Sequence, residues 1–119
     1  MHEVSIAQSL LEIVEEEVAR YPGARVSRIS LRIGRLREVI PESLRFAFEV
    51  ISKGRVTEGA SLHIEEVPLS LRCLDCQRVW VAETPFMICP GCGGREVEII
   101  SGQELEIESL EIEDGAQGS

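Results

Sequence analysis

A chain of 119 residues with ordinary apolar content and few aromatic residues supports one domain, or a modest domain carrying a small appendage, around an aliphatic core. Its formal net charge of −9 repels phosphate backbones and argues against nucleic acid as a partner. No apolar run approaches the roughly 18 residues of a membrane span, and acidic Glu3 stands where a signal peptide would be basic. The chain is therefore expected in the cytoplasm, with reduced cysteines and no membrane insertion.

Residues 4–20 place Ile6, Ala7, Leu10, Leu11, Val14 and Val18 at helical spacing among glutamates, which predicts an amphipathic first helix ended by Tyr21-Pro22-Gly23. A half-buried strand follows over 26–33, where Ile29, Leu31 and Ile33 alternate with Arg28, Ser30 and Arg32. Pro41-Glu42-Ser43 opens a second helix with a stripe of Leu44, Phe48 and Ile51, helped by Ala47, and Gly54 closes it. Residues 62–67 read as another strand. Short strands are expected near Leu71, over 79–81 and over 97–100. In the last strand, 104–112, the alternation of Leu105 and Ile107 slips phase at Glu108-Ser109 before Leu110 and Ile112, which suggests a bulge. Residues 113–119 read as a disordered tail.

The economical arrangement is an α+β fold: a small three-stranded sheet with two helices, interrupted by an inserted lobe. The α/β domain would take residues 1–67 and 101–119, and the lobe residues 68–100. No internal repeat is present.

The lobe holds the chain's four cysteines in two pairs, Cys73-Leu-Asp-Cys76 and Cys89-Pro-Gly-Cys92. Two intervening residues let one tight turn aim both sulfurs at a point, and two such turns complete a tetrahedron suited to structural Zn²⁺. Iron in a rubredoxin-like knuckle is the nearest competitor, but only Trp80 and Phe86 lie nearby, whereas rubredoxins wrap their site in several aromatics. Disulfides and thioredoxin-like redox chemistry fit two matched pairs in a reducing compartment poorly. With thiolates bound to Zn²⁺ the net charge becomes about −11. A closed four-sulfur site leaves no position for substrate, so it explains folding of the lobe rather than activity.

Met1-His2-Glu3 offers a different chemistry. Initiator methionine is expected to stay before a residue as large as His2, leaving a free amine. That amine, the His2 amide nitrogen and His2 Nδ1 could close a five- and a six-membered chelate ring, with Glu3 or another group as fourth donor. Deprotonated amide nitrogen favours planar Ni²⁺ or Cu²⁺. Against this stand chance and the fraying usual at chain ends, and Glu3 has an ordinary use near a helix N-terminus.

Together, Met1-His2-Glu3-Val4-Ser5, Arg32-Ile33-Gly34, Pro41-Glu42-Ser43-Leu44, the two C-x-x-C pairs and Ser101-Gly102-x-Glu104-Leu105 resemble the HypA/HybF hydrogenase nickel-incorporation proteins over essentially the whole chain. The resemblance implies a nickel metallochaperone and not an enzyme. Nickel would bind Met1, His2 and Glu3, and zinc Cys73, Cys76, Cys89 and Cys92. The implied partners are the HypB nucleotidase and the [NiFe]-hydrogenase large-subunit precursor, with urease served by some relatives. Certain relatives have a further nickel-ligating histidine in the zinc lobe, and this chain has none. Its other histidine, His63, alternates with Leu62 and Ile64 and is expected to face solvent. A zinc-ribbon interaction module without nickel function is the rival reading. The oligomeric state, a homodimer included, is left open by the sequence.

Overall fold

The computed structural model describes residues 2–84 and 86–114. Helix α1 (His2–Val18) buries Ala7, Leu10, Leu11, Val14 and Val18, the stripe that the helical period demands. Strand β1 (Ala24–Gly34) runs to a single 3₁₀ turn (Arg35–Arg37), after which Glu38 adopts a left-handed backbone. Helix α2 (Pro41–Ile51) starts with proline, whose missing N–H costs nothing in a first turn, and buries Leu44, Ala47 and Phe48. The remaining elements are β2 (Ser61–Val67), β3 (Leu69–Cys73), β4 (Val79–Ala82), β5 (Val97–Ser101) and β6 (Leu105–Asp114).

One sheet has the order β2-β1-β6 and the other β4-β3-β5. The chain is thus α+β as its sequence pattern implies, with the strand after the cysteine segment returning beside the first strand. Two details differ from the sequence expectations. Helix α1 begins at His2 rather than Val4, so His2 and Glu3 belong to its first turn. Strand β6 continues to Asp114, so the start of the expected disordered tail is strand, while 115–119 lie outside the described residues. Ile107, Leu110 and Ile112 are the half-buried positions of β6, which carries the phase slip at Glu108-Ser109 into the burial pattern.

The chain divides into two compact units. The first comprises Met1–Leu31, Val39–Ile64 and Ile107–Ser119, and its core joins the α1 and α2 stripes to Val26, Ile29, Leu31 and Leu62. Ser52 and Thr57 are its buried polar residues; Thr57 Oγ1 donates to Ser52 Oγ at 2.7 Å, so each satisfies the other. His63 is exposed.

The second unit comprises Arg32–Glu38 and Glu65–Glu106. Leu69, Leu71 and Ala82 form its core, with Leu36, Trp80, Met87, Val97 and Ile99 packed against them. Strand β3 is central and antiparallel to both neighbours, pairing Leu71 with Trp80 on β4 and with Ile99 on β5. This pairing brings β3, with Cys73 at its end, under a small apolar cluster. Arg72 crosses to Glu98 at 2.7 Å on the opposite face. Such exposed pairs contribute little to stability individually.

Candidate metal centres

Four sulfurs converge in the second unit. The metal-binding atoms of Cys73, Cys76, Cys89 and Cys92 all lie within 4.8 Å of one another. Cys73 Sγ is 3.5 Å from Cys92 Sγ, and Cys76 Sγ is 3.6 Å from Cys89 Sγ. A Zn–S bond of about 2.3 Å in a tetrahedron sets sulfur pairs about 3.8 Å apart, a spacing that the Cys73–Cys92 and Cys76–Cys89 pairs approach.

The two turns that deliver them are built alike. After Cys73 the chain closes with Gln77 N–H donating to the Cys73 carbonyl at 2.8 Å, and after Cys89 with Gly93 N–H donating to the Cys89 carbonyl at 2.9 Å. Gln77 and Gly93, each four residues beyond the first cysteine of its pair, both have positive φ (67° and 73°). Gly94 keeps the space beside the cluster open: a Cβ there would displace the Asp75 carboxylate, 2.6 Å away, and sit 3.2 and 3.4 Å from the sulfurs of Cys92 and Cys73.

Cys73 and Cys89 are buried, whereas Cys76 and Cys92 are exposed. Their thiols are driven apart in acidity. Backbone N–H groups of Cys92 and Gly91 favour the Cys89 thiolate and lower it from 9.0 to about 6. The Gly94 N–H favours the Cys92 thiolate, but the Cys73 sulfur beside it, partial desolvation and the Cys76 and Cys89 sulfurs together prevail and push it up to about 12. For Cys76 the Arg78 N–H likewise pulls down and is the largest single influence, but the Cys89 and Cys73 sulfurs together with desolvation outweigh it, leaving the thiol raised above 9.0. Sulfurs this close resist ionising together, and a divalent cation removes that conflict by binding all four as thiolates.

The other candidate is the amino-terminal tripeptide. Met1 lies outside the described residues. His2 is half exposed, with Nε2 3.6 Å from Glu3 Oε2. The first N–H groups of an α-helix have no intrahelical acceptor, so the His2 amide is spared from the helical ladder.

Glu3 is held by an element far away in sequence. The backbone N–H of Ile40, the residue that caps α2, donates to Glu3 Oε2 at 3.3 Å. That bond is the chief cause of a Glu3 acidity below its ordinary value of 4.5; its own backbone N–H and the His2 charge add to it. The ordinary use foreseen for Glu3 at a helix N-terminus is therefore met twice, in the first turn of its own helix and at the start of α2. The Ile40 contact has no sequence signal, because nothing in a linear pattern links positions 37 residues apart. Only the four cysteines group as metal ligands among the described residues.

Comparison with known proteins adds an independent line. A family model described as hydrogenase/urease nickel incorporation, metallochaperone, HypA matches residues 1–112. A hydrogenase maturation factor HypA of Solidesulfovibrio magneticus is 46% identical over 118 residues, which span 95% of this chain and all of the relative. One from Roseiflexus is 46% identical over 115 residues, covering 96% of this chain and 94% of the relative. Among solved structures, the solution structure of the Ni metallochaperone HypA from Helicobacter pylori matches with a TM-score of 0.64 at 27% identity, covering 92% of this chain and 95% of that one. A second HypA solution structure matches with a TM-score of 0.70 at 28% identity, covering 96% and 98%.

Proposed function

The chain belongs to the HypA family of hydrogenase/urease nickel-incorporation metallochaperones, and on that premise we propose that it carries one Ni²⁺ at Met1, His2 and Glu3 and delivers it for maturation of [NiFe]-hydrogenase. A maturation factor of this family acts as a carrier rather than a catalyst. Cys73, Cys76, Cys89 and Cys92 hold a resident Zn²⁺, which closes the cysteine lobe around a full tetrahedron and has no vacancy for cargo.

The observation that supports the nickel site best is the start of α1 at His2. A first-turn amide can lose its proton to a metal without breaking the helix, and the helix fixes where that nitrogen points. The Met1 amine, His2 amide nitrogen and His2 Nδ1 then supply three nitrogen donors in a plane, which suits Ni²⁺. The Glu3 carboxylate, tied to Ile40, anchors the turn and is the nearest candidate for a fourth donor.

Such a site binds and releases through protons. Amine, amide and imidazole must all be deprotonated to coordinate, so affinity falls steeply as pH drops. A client supplying one stronger donor displaces the ligands stepwise, with no unfolding of the core. The HypB nucleotidase and the hydrogenase large-subunit precursor are the partners we assign to loading and delivery, in the cytoplasm. No described helix is long and apolar enough to cross a membrane.

The test is a nickel titration of untagged, zinc-loaded protein, followed by absorbance and calorimetry, beside His2→Ala and a one-residue N-terminal extension. Stoichiometric binding with a planar Ni²⁺ band, lost in both variants while zinc content and fold persist, is expected. An unchanged isotherm in either variant overturns the site and leaves the zinc-ribbon interaction module.

A further inference from the structure

The four sulfurs share one metal site but not one environment. Cys89 is buried, and two backbone N–H groups reach its sulfur, that of Gly91 at 3.4 Å and that of Cys92. Cys92 is exposed and receives the N–H of Gly94.

Two glycines let opposite charges lie against these corners. A methyl at Gly91 would meet Arg78 Nη1 at 2.9 Å and Cys89 Sγ at 3.7 Å, so the guanidinium lies beside the Cys89 sulfur. A methyl at Gly94 would meet Asp75 Oδ2 at 2.6 Å, Cys92 Sγ at 3.2 Å and Cys73 Sγ at 3.4 Å, so a carboxylate lies beside those two. Cys73 is buried, which leaves Cys92 as the member of that pair open to solvent. Among the described residues, neither Asp75 nor Arg78 is neutralised in an ion pair.

A metal-bound thiolate stays nucleophilic to the extent that negative charge remains on its sulfur. N–H groups and a nearby cation draw that charge away, burial denies access, and a nearby anion holds the charge on sulfur. By each of these measures Cys89 is the protected corner and Cys92 the reactive one. The Asp75 carboxylate sets Cys92 apart from Cys76, the other exposed sulfur, which likewise receives one backbone N–H, from Arg78.

We infer that Cys92 is a modification site of the zinc-loaded lobe: uncharged alkylating electrophiles attack its thiolate first, with Asp75 activating it and Arg78 protecting Cys89. The inference rests on the reading of zinc as the resident metal. In the step, the Cys92 thiolate displaces the leaving group from carbon; an S–C bond forms, the carbon–halogen bond breaks, and halide departs with the electron pair. The thioether so formed is a weak donor, and the lobe then holds its metal by three thiolates.

The test exposes zinc-loaded and zinc-free protein to limiting iodoacetamide. Metal is then removed, the remaining thiols are labelled with N-ethylmaleimide in denaturant, and mass spectrometry locates the carbamidomethyl groups. With zinc bound, Cys92 should react at least about 3-fold faster than Cys76, and Cys73 and Cys89 later still. Asp75→Asn should slow Cys92 by about 3–10-fold at unchanged zinc content. Glu83→Gln, just beyond β4 in the same unit, should leave it within about twofold. Arg78→Gln should speed modification of Cys89, and Arg78→Lys, which keeps the cation, should restore the parent rate. First modification at Cys76 or Cys89, or a fully zinc-loaded Asp75→Asn protein whose Cys92 reacts at the parent rate, overturns the proposal and leaves the resident zinc standing. Zinc that protects none of the four sulfurs overturns the resident-zinc reading itself, and this inference with it.

Discussion

Gly34→Ala is expected to be among the most damaging single-methyl changes in this chain. Gly34 has an unremarkable extended backbone (φ −73°, ψ 147°), so conformational freedom is not the reason for glycine there. Space is. A Cβ at Gly34 would overlap the carbonyl carbon and oxygen of Gly102 and press on Gln103 N, all backbone atoms with no rotamer to give way. The same contact is held by two hydrogen bonds, Gly34 N–H to the Glu104 carbonyl at 2.7 Å and Leu36 N–H to the Gly102 carbonyl at 2.9 Å. Moving the strands apart to admit the methyl costs about 1–3 kcal/mol in strain and about 1 kcal/mol for each weakened bond, hence about 3–5 kcal/mol altogether. That is a large part of the stability of a domain this size, ~5–15 kcal/mol. Both glycines belong to the second unit, and so does Trp80, the only tryptophan, which packs on its core. Denaturant unfolding followed by Trp80 fluorescence therefore reads the effect directly. Gly59→Ala, which lies in the first unit and is therefore followed by circular dichroism, is the control: its φ of 82° imposes strain of about 1–2 kcal/mol, but a Cβ there meets nothing within 4 Å. A Gly34→Ala protein within about 0.5 kcal/mol of the parent, or no worse than Gly59→Ala, would refute the reasoning.

Three further outcomes are expected. Cys92→Ser, or chelation of the bound metal, should loosen the cysteine lobe, read as lost dispersion of Val97 and Ile99 amides, while α1 and α2 keep their helicity by circular dichroism. Zinc binding at neutral pH should release protons from Cys76 and Cys92, whose thiols are raised, and essentially none from Cys89, already lowered to about 6; calorimetry in buffers of different ionisation enthalpy counts them. Glu3→Gln should destabilise the protein above pH 4.5 and progressively less below it. The folded Glu3 is more acidic than its ordinary 4.5, so its contribution is complete above that value and disappears as pH falls through the depressed one. A parent-minus-variant difference that stays flat with pH contradicts the Ile40 clamp.

The parts of this fold legible in sequence are those that repeat with a period. The α1 stripe, the β1 alternation and the phase slip of β6 all reappear as burial because each side chain's direction is fixed by its own backbone. The cysteine cluster was legible for a similar reason: C-x-x-C is a local turn, and two local turns needed only to meet. What escaped is contact between distant backbone groups. Arg32-Ile33-Gly34 and Ser101-Gly102 stand out as motifs, but their glycines face one another across the sheet, and no single segment records that. The start of α1 was misplaced for want of a signal. His2 and Glu3 precede the apolar stripe and no Ser, Thr, Asp or Asn stands before them as a cap, so the pattern became readable only near Val4.

The proposed pairing of a resident zinc with a nickel cargo raises a selectivity problem that the donor sets resolve only in a particular order. Four clustered thiolates are stronger donors for any borderline cation than an amine and an exposed imidazole, so nickel offered to metal-free protein should go first to Cys73, Cys76, Cys89 and Cys92. There it would meet sulfurs gathered for a tetrahedron, with Cys73 and Cys92 3.5 Å apart and Cys76 and Cys89 3.6 Å apart, and would show intense sulfur-to-metal charge-transfer absorption. Zinc has no geometric preference from its d-electrons to oppose that tetrahedron, whereas Ni²⁺ with strong-field donors prefers a plane. Zinc should accordingly displace nickel from the sulfurs and bleach the charge-transfer band, with nickel then reappearing at His2 as a weaker planar band. Persistence of the sulfur band after zinc is added would mean that the cysteines themselves are the nickel carrier, and the assignment of resident and cargo would have to be reversed.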